Sequence, residues 1–371
     1  MKQVTHDELK SDLLRHYDKK ISMFVYGRFG IGKSDTVIKT ATDIAAKKGK
    51  VFIDWNKISD EEKMNVFNNP KDYFTLIDIR LAEYDSSDIK GLPIFKDDNK
   101  AIEFKIPFWA LLMAKPESDG ILFFDEINLA PPLVMSSCYK IILNRVVNDI
   151  PINPNWGVFG AGNLDEDRAY TNSMAPPLKD RASEVELVAP DGDRWTQWAI
   201  PNGVEPKVIG YINFKPQDLF KVDFNDKQKY TTPRGWERLS NLIKGVDDFK
   251  EMELYASSAI SEGVAKSFVA WCKISQQIDL PGILANPEKI KSITELSVKW
   301  FINTAVAENY ANGKVKFDKV MGISKALDEI DNVELVAYLW KMCNGLTKNF
   351  RKEFLKGIDD DLVKKYQKYL I

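Results

Sequence analysis

The chain has 371 residues, 44% hydrophobic and 29% charged, and its 52 Lys and Arg against 54 Asp and Glu leave a formal net charge of −2. This ordinary globular composition excludes collagenous, fibrous and disordered classes. It also argues against a surface coated with basic residues for nucleic acid, although a local positive groove could sit inside a neutral total. Three scattered cysteines (Cys138, Cys272, Cys343) and two histidines (His6, His16) leave little material for a disulfide frame, a zinc site or a Ser-His-Asp relay. No apolar run approaches the roughly 18 residues of a membrane span and the start is polar, so the expected location is the cytoplasm, with no membrane partner.

At roughly 150 residues per domain, the length predicts two or three domains. Residues 7–19 predict a helix, with Thr5 as a cap and Leu9, Leu13, Leu14 and Tyr17 at helical spacing. A short apolar strand follows at 22–26, then a Gly-rich loop, then a helix over 33–48. Further strand-like runs at 74–79, 121–124, 157–160 and 184–188 alternate with helical patterns. Together they predict a parallel sheet with helices on both faces. Beyond Pro190 the strand-like runs fade, and 236–244, 252–274, 293–309, 333–343 and 362–370 predict helices. The tryptophans at 195, 198, 236, 271, 300 and 340 are spaced as helix-face residues and expected in the core. The Lys- and Asp-rich stretch 348–371 reads as a solvated helix face.

The strongest chemical signal is Gly27-Arg28-Phe29-Gly30-Ile31-Gly32-Lys33-Ser34, a G-x-x-x-x-G-K-[ST] run placed between a strand and a helix. Glycines let backbone N–H groups wrap phosphates, and the helix N-terminus adds positive potential. Lys33 then reaches the β and γ phosphates, and Ser34 ligates Mg²⁺. A second apolar strand ends in Asp125-Glu126, where Asp125 can orient Mg²⁺ through water and Glu126 can activate the attacking water. A third ends in Gly162-Asn163; Asn163 could hold the lytic water or the γ-phosphate, or be a turn Asn beside glycine. Asn56-Lys57-Ile58-Ser59 lacks the final Asp of a guanine-reading motif. Residues 91–106 read as two alternating strands around an Asp-Asn turn, a β-hairpin inserted before the Asp-Glu strand, and residues 145–152 as a second hairpin.

In this order the motifs resemble an AAA+ ATPase, and more narrowly its MoxR-like branch, with a McrB-like relative as the alternative. The residues that carry the resemblance are Asp125-Glu126-Ile127-Asn128-Leu129-Ala130-Pro131-Pro132, Gly162-Asn163, Leu178-Lys179-Asp180-Arg181 and Thr232-Pro233-Arg234. Departures from the branch pattern are Leu129, Leu164 and Ala182. The resemblance implies an AAA+ P-loop α/β fold with a five-stranded parallel sheet and β-hairpin insertions, followed by an all-α lid and a helical C-terminal extension. The expected division is 1–190, 191–275 and 276–371. It further implies ATP and Mg²⁺ as cofactors, a nucleotide loop running through Asp35, Asn163 as sensor 1, Arg181 as an arginine finger reaching a neighbouring subunit, and Arg234 as sensor 2. Arg168 and Arg145 are the fallback fingers. The implied working form is a homo-oligomeric ring, a hexamer in expectation, that remodels a protein partner, often in that family one with a von Willebrand A domain. The other readings are a nucleic-acid-acting motor subunit and a nucleotide-gated scaffold.

Overall fold

The computed structural model describes residues 1–96, 101–164, 167, 172, 180–222, 230–356 and 361–366, with the side chains of 275 and 276 also outside the description. The chain divides into two compact units, Met1–Ala189 and Pro190–Ile371.

The first unit is built on a parallel sheet. Its strands in chain order are β1 (Lys2–Val4), β2 (Met23–Tyr26), β3 (Val51–Asp54), β4 (Tyr73–Arg80), then, after two hairpin strands β5 (Leu92–Lys96) and β6 (Ala101–Lys105), β7 (Gly120–Asp125). A second small hairpin, β8 (Val146–Val147) and β9 (Ile150–Pro151), precedes β10 (Trp156–Gly162) and β11 (Ser183–Leu187). The spatial order is β1-β11-β2-β10-β7-β4-β3, with every adjacent pair parallel. The α/β parallel-sheet class expected from the sequence is therefore the class observed, but the sheet has seven strands where five were expected. The five are β2, β4, β7, β10 and β11, and β1 and β3 extend the two edges. Both additions are hard to read. β1 has three residues, and the edge strand β3 leaves Val51 57% exposed, so neither shows the continuous apolar run of a strand buried on both faces. By contrast, β2 and β10 are buried along their whole length.

Helix α1 (His6–Lys19) starts at a Thr5–Glu8 capping box, which satisfies two orphan backbone donors, and buries Leu9, Leu13 and Tyr17. Helix α2 (Lys33–Lys47) follows the Gly-rich loop. A short helix α3 (Asp60–Asn68) precedes β4. After β4, the helical turn α4 (Ser86–Lys90) is interrupted by the β5–β6 hairpin before α5 (Phe108–Ala114) resumes. The Asp-Asn turn expected at 97–99 lies outside the described residues. In the hairpin, Pro93 opposes Phe104 and Phe95 opposes Ile102 on one face, and Phe95 and Ile102 are 70% and 62% exposed. Helix α6 (Pro132–Asn144) follows β7 and leads into β8.

The second unit is helical. Its helices are α7 (Gly192–Ala199), α8 (Pro206–Phe214), α9 (Pro233–Ile243), α10 (Phe249–Ala259), α11 (Glu262–Lys273), α12 (Leu280–Ala285), α13 (Leu296–Ala311), α14 (Phe317–Asp328), α15 (Val333–Leu346), α16 (Lys348–Lys356) and α17 (Asp361–Tyr366). One continuous apolar cluster runs through all of them, with Trp195, Trp236, Trp271, Trp300 and Trp340 inside it and Trp198 packed at its margin. The single helix expected over 252–274 is two, because Ile260 is extended and Ser261 starts α11. The C-terminal stretch also departs from a solvated face: Phe350, Phe354, Val363 and Tyr366 are buried in the common core, and Tyr366 donates to Asp328 at 2.6 Å. All three cysteines are free and buried, and burial pushes the Cys138 and Cys272 thiols up to about 12.

Candidate active site

The loop between β2 and α2 is shaped by its glycines. Gly30 (φ 71°) and Gly32 (φ 97°) take the left-handed conformation that side chains resist. At Gly27 a Cβ would stand 2.7 Å from the carbonyl oxygen of Leu187, so only glycine lets β11 pass this closely. Lys33, the first residue of α2, is buried, and its Nζ donates to the Gly27 carbonyl (2.6 Å), the Arg28 carbonyl (2.9 Å) and Asn163 Oδ1 (3.1 Å). All three acceptors are neutral oxygens. Arg28 lies 3.9 Å from a carboxylate oxygen of Asp167, whose side chain is fully buried.

Strand β7 brings its carboxylates to the same end of the sheet. Ser34 Oγ donates to Asp125 Oδ2 at 2.8 Å, and Asp125 Oδ1 accepts from the Glu126 N–H at 2.9 Å. Glu126 turns the chain with φ 54°, a conformation that costs a non-glycine residue roughly 1 kcal/mol, and its side chain is exposed. Between β2 and β7, β10 ends just before Asn163. Asn128 locks that end in place: its Nδ2 donates to the Asn163 carbonyl (2.8 Å) and its Oδ1 accepts from the Asn163 N–H (3.0 Å). From β4, Asp78 faces the same region. Burial, followed by the Asp125 charge, pushes its carboxyl up to about 6, and its Oδ1 is buried without a hydrogen-bond partner among the described residues.

Lys33, Ser34, Asp125 and Asn163 are thus brought together at the C-terminal ends of β2, β7 and β10, with Glu126 adjoining. Among the other loop residues, Ile31 is buried and Phe29 half-buried, while the Asp35 side chain turns outward to Lys39 (3.2 Å). Arg181 is not part of this group. It precedes Ser183, which is level with Met23 at the start of β2, whereas the Gly-rich loop follows the end of β2. At about 3.3 Å per residue, the four-residue offset between the level of Ser183 and Gly27 is roughly 13 Å, and Arg181, in a helical turn, precedes Ser183. It is exposed. Arg234 is exposed in the first turn of α9, in the second unit. The fallback Arg145 is turned inward and donates to the Trp156 carbonyl; Arg168 lies outside the described residues.

The donor set suits a magnesium nucleotide. One hydroxyl and one carboxylate converge, and no cluster of three His, Cys, Asp or Glu occurs among the described residues. Mg²⁺ commonly takes one or two protein oxygens and completes its shell with water and phosphate. Three residues here escape sequence reasoning. Asn128 stands within the 125–132 run, where its polarity between Ile127 and Leu129 is the available signal. Asp78 carries a weaker signal, as an acid inside an apolar strand. His6 gives none: its ring reaches the loop only through the fold, with Nε2 2.7 Å from the Ile31 carbonyl.

No protein-family model matches the chain, and no curated protein does. Among solved structures it is similar to the Aeropyrum pernix ORC2 protein in its ADP form, at 12% identity over 87% of this chain and 84% of that one, with a TM-score of 0.38. It is also similar to a point mutant of RuvB from Thermotoga maritima, at 15% identity over 85% and 83% with a TM-score of 0.30. A third likeness is to NtrX from Brucella abortus in complex with ADP, at 14% identity over 65% of this chain, with a TM-score of 0.33. The chain spans about half the length of that NtrX chain. At these scores the likenesses carry no functional argument, and the α/β class of the fold stands on the sheet order and the Gly-rich loop themselves.

Proposed function

We propose that the chain is an AAA+ P-loop ATPase, of the MoxR-like kind, that works as a homo-oligomeric ring and remodels a protein partner. The observation that carries this reading is the pair of hydrogen bonds Lys33–Asn163 and Ser34–Asp125. They join three segments separated by 130 and 91 residues into one constellation of cation, amide, hydroxyl and carboxylate. Mg²⁺-ATP, when bound, supplies the phosphoanhydride to be cleaved and a cation that offsets its charge. Ser34 and Asp125 would hold the metal. Lys33 would offer its ammonium to phosphate oxygens, and Asn163, fixed by Asn128, would orient the terminal phosphate or the incoming water. Glu126 accepts that water's proton as general base.

The place of Arg181, before the start of β11 while the Gly-rich loop follows the end of β2, supports a role at a neighbour's site, where a guanidinium supplies fork-shaped donors and permanent charge. In this reading residues 191–275 form the lid that carries Arg234 as sensor 2, and 276–371 form an extension built on the same helical core. The exposed Phe95, Ile102 and Phe104 face of the β5–β6 hairpin suits contact with a protein rather than with phosphates. Mixing Arg181→Ala with Lys33→Ala subunits tests the shared site. Hydrolysis restored above either variant alone supports it, and no restoration in confirmed mixed oligomers contradicts it.

A further inference from the structure

We infer that His6 is a positioning residue of the nucleotide loop, resting on the nucleotide-binding reading above. Its ring Nε2 meets the Ile31 carbonyl at 2.7 Å across 25 residues of sequence, and a Cβ placed on Gly32 would lie 3.4 Å from the same nitrogen. The ring therefore packs directly on the peptide between Ile31 and Gly32. That peptide is intrinsically free to rotate, since the left-handed glycines Gly30 and Gly32 stand on either side of Ile31 and a glycine backbone changes conformation at little cost. In a trans peptide the carbonyl and the next N–H point in opposite directions. Holding the Ile31 carbonyl toward α1 thus holds the Gly32 N–H away from α1. A phosphate-binding loop depends on such N–H groups being set before the anion arrives.

His6 is itself held firmly from both sides. Val4, two residues before it, is buried, pairs with Leu187 of β11 and accepts from the Val188 N–H at 3.0 Å. On the other side, the Thr5–Glu8 capping box and the fully buried Leu9 fix the first turn of α1. The short edge strand thereby acquires a purpose: it sets the registry of the residue that braces the loop. Neutral imidazole with its proton on Nε2 and imidazolium can both donate to a carbonyl, so the brace works through a hydrogen bond rather than through charge.

The test compares wild type, His6→Ala, His6→Gln and Lys33→Ala by titration with a fluorescent ATP analogue, together with kcat and KM for ATP and the melting temperature without nucleotide. One side chain–backbone hydrogen bond corresponds to a roughly three- to tenfold loss of affinity. His6→Ala is expected to raise the dissociation constant and KM by that factor while kcat stays within about twofold, and His6→Gln, whose amide can donate to the same carbonyl, is expected to recover most of the loss. Equal affinity in wild type and His6→Ala overturns the inference while leaving the nucleotide site intact. A parallel fall in kcat and melting temperature, unrescued by Gln, also overturns it in favour of a purely structural histidine. Wild type that binds no nucleotide overturns both it and the functional reading.

Discussion

The two ends of the central sheet use the same residue types to opposite purposes. At the N-terminal end of β7, Asp119 is buried and fully engaged: Tyr17 donates to one carboxylate oxygen, and Lys48 (2.7 Å) and Lys50 (3.2 Å) reach the other. Burial alone raises that carboxyl, but the Lys48 and Tyr17 hydrogen bonds and the two lysine charges outweigh it and hold it below the usual carboxylate range. At the C-terminal end, Lys33 is buried against neutral carbonyl and amide oxygens, Glu126 sits in a left-handed turn, and Asp78 keeps a buried oxygen without a hydrogen bond among the described residues. One end is satisfied by the protein itself. At the other, the Gly-rich loop, the left-handed Glu126 and the buried Asp78 oxygen without a hydrogen bond among the described residues stand together, the arrangement proposed above as the nucleotide site.

Substitutions sharpen the contrast. Asp119→Ala leaves Lys48 and Lys50 without their partner and is expected to cost about 3–5 kcal/mol of stability, read as a fall in denaturant midpoint. Because Asp119 is held below its unfolded value, its contribution is present above about pH 4 and is lost as pH falls through the depressed value. Lys33→Met is the counterpart at the other end. It is expected to abolish nucleotide binding, about a hundredfold or more in dissociation constant, yet leave stability within about 1 kcal/mol, since a buried ammonium is removed with its chain length kept. A collapse in stability like that of Asp119→Ala would erase the distinction between the two ends.

The smallest expected effect is at Asp78. With its carboxyl raised to about 6, the stability it contributes is full below about pH 4 and is lost as pH rises through about 6. Asp78→Asn is therefore expected to stabilise the chain above pH 7 by on the order of 1 kcal/mol, discounted for partial exposure, and to flatten the pH 4–6 dependence. The opposite pH signs of Asp78 and Asp119 can be measured on one pH–stability curve.

What the sequence reveals follows from how each element is buried. Strands β2, β7 and β10 are covered on both faces, so their residues form unbroken apolar runs that stop at Gly27, Asp125 and Asn163, and the site is legible from those stops. Edge strands β1 and β3 lack that pattern. The break at Ile260 interrupts a run whose helical periodicity continues on both sides, leaving only the Ser261-Glu262 pair as a start signal. In the C-terminal stretch, the many Lys residues obscure the aromatic stripe of Phe350, Phe354 and Tyr366. His6 and Asn128 are hidden for a different reason: each acts through a contact across many residues, which local spacing does not encode.

The central claim is that nucleotide is bound and cleaved where Lys33, Ser34, Asp125 and Asn163 converge. Phosphate release from Mg²⁺-ATP by purified wild type, Glu126→Gln and Lys33→Met, measured alongside nucleotide binding, tests it most directly. The expected result is turnover by wild type, retained binding with turnover at least about a hundredfold slower in Glu126→Gln, and neither binding nor turnover in Lys33→Met. Equal phosphate release by all three proteins, or no binding by wild type, would contradict it.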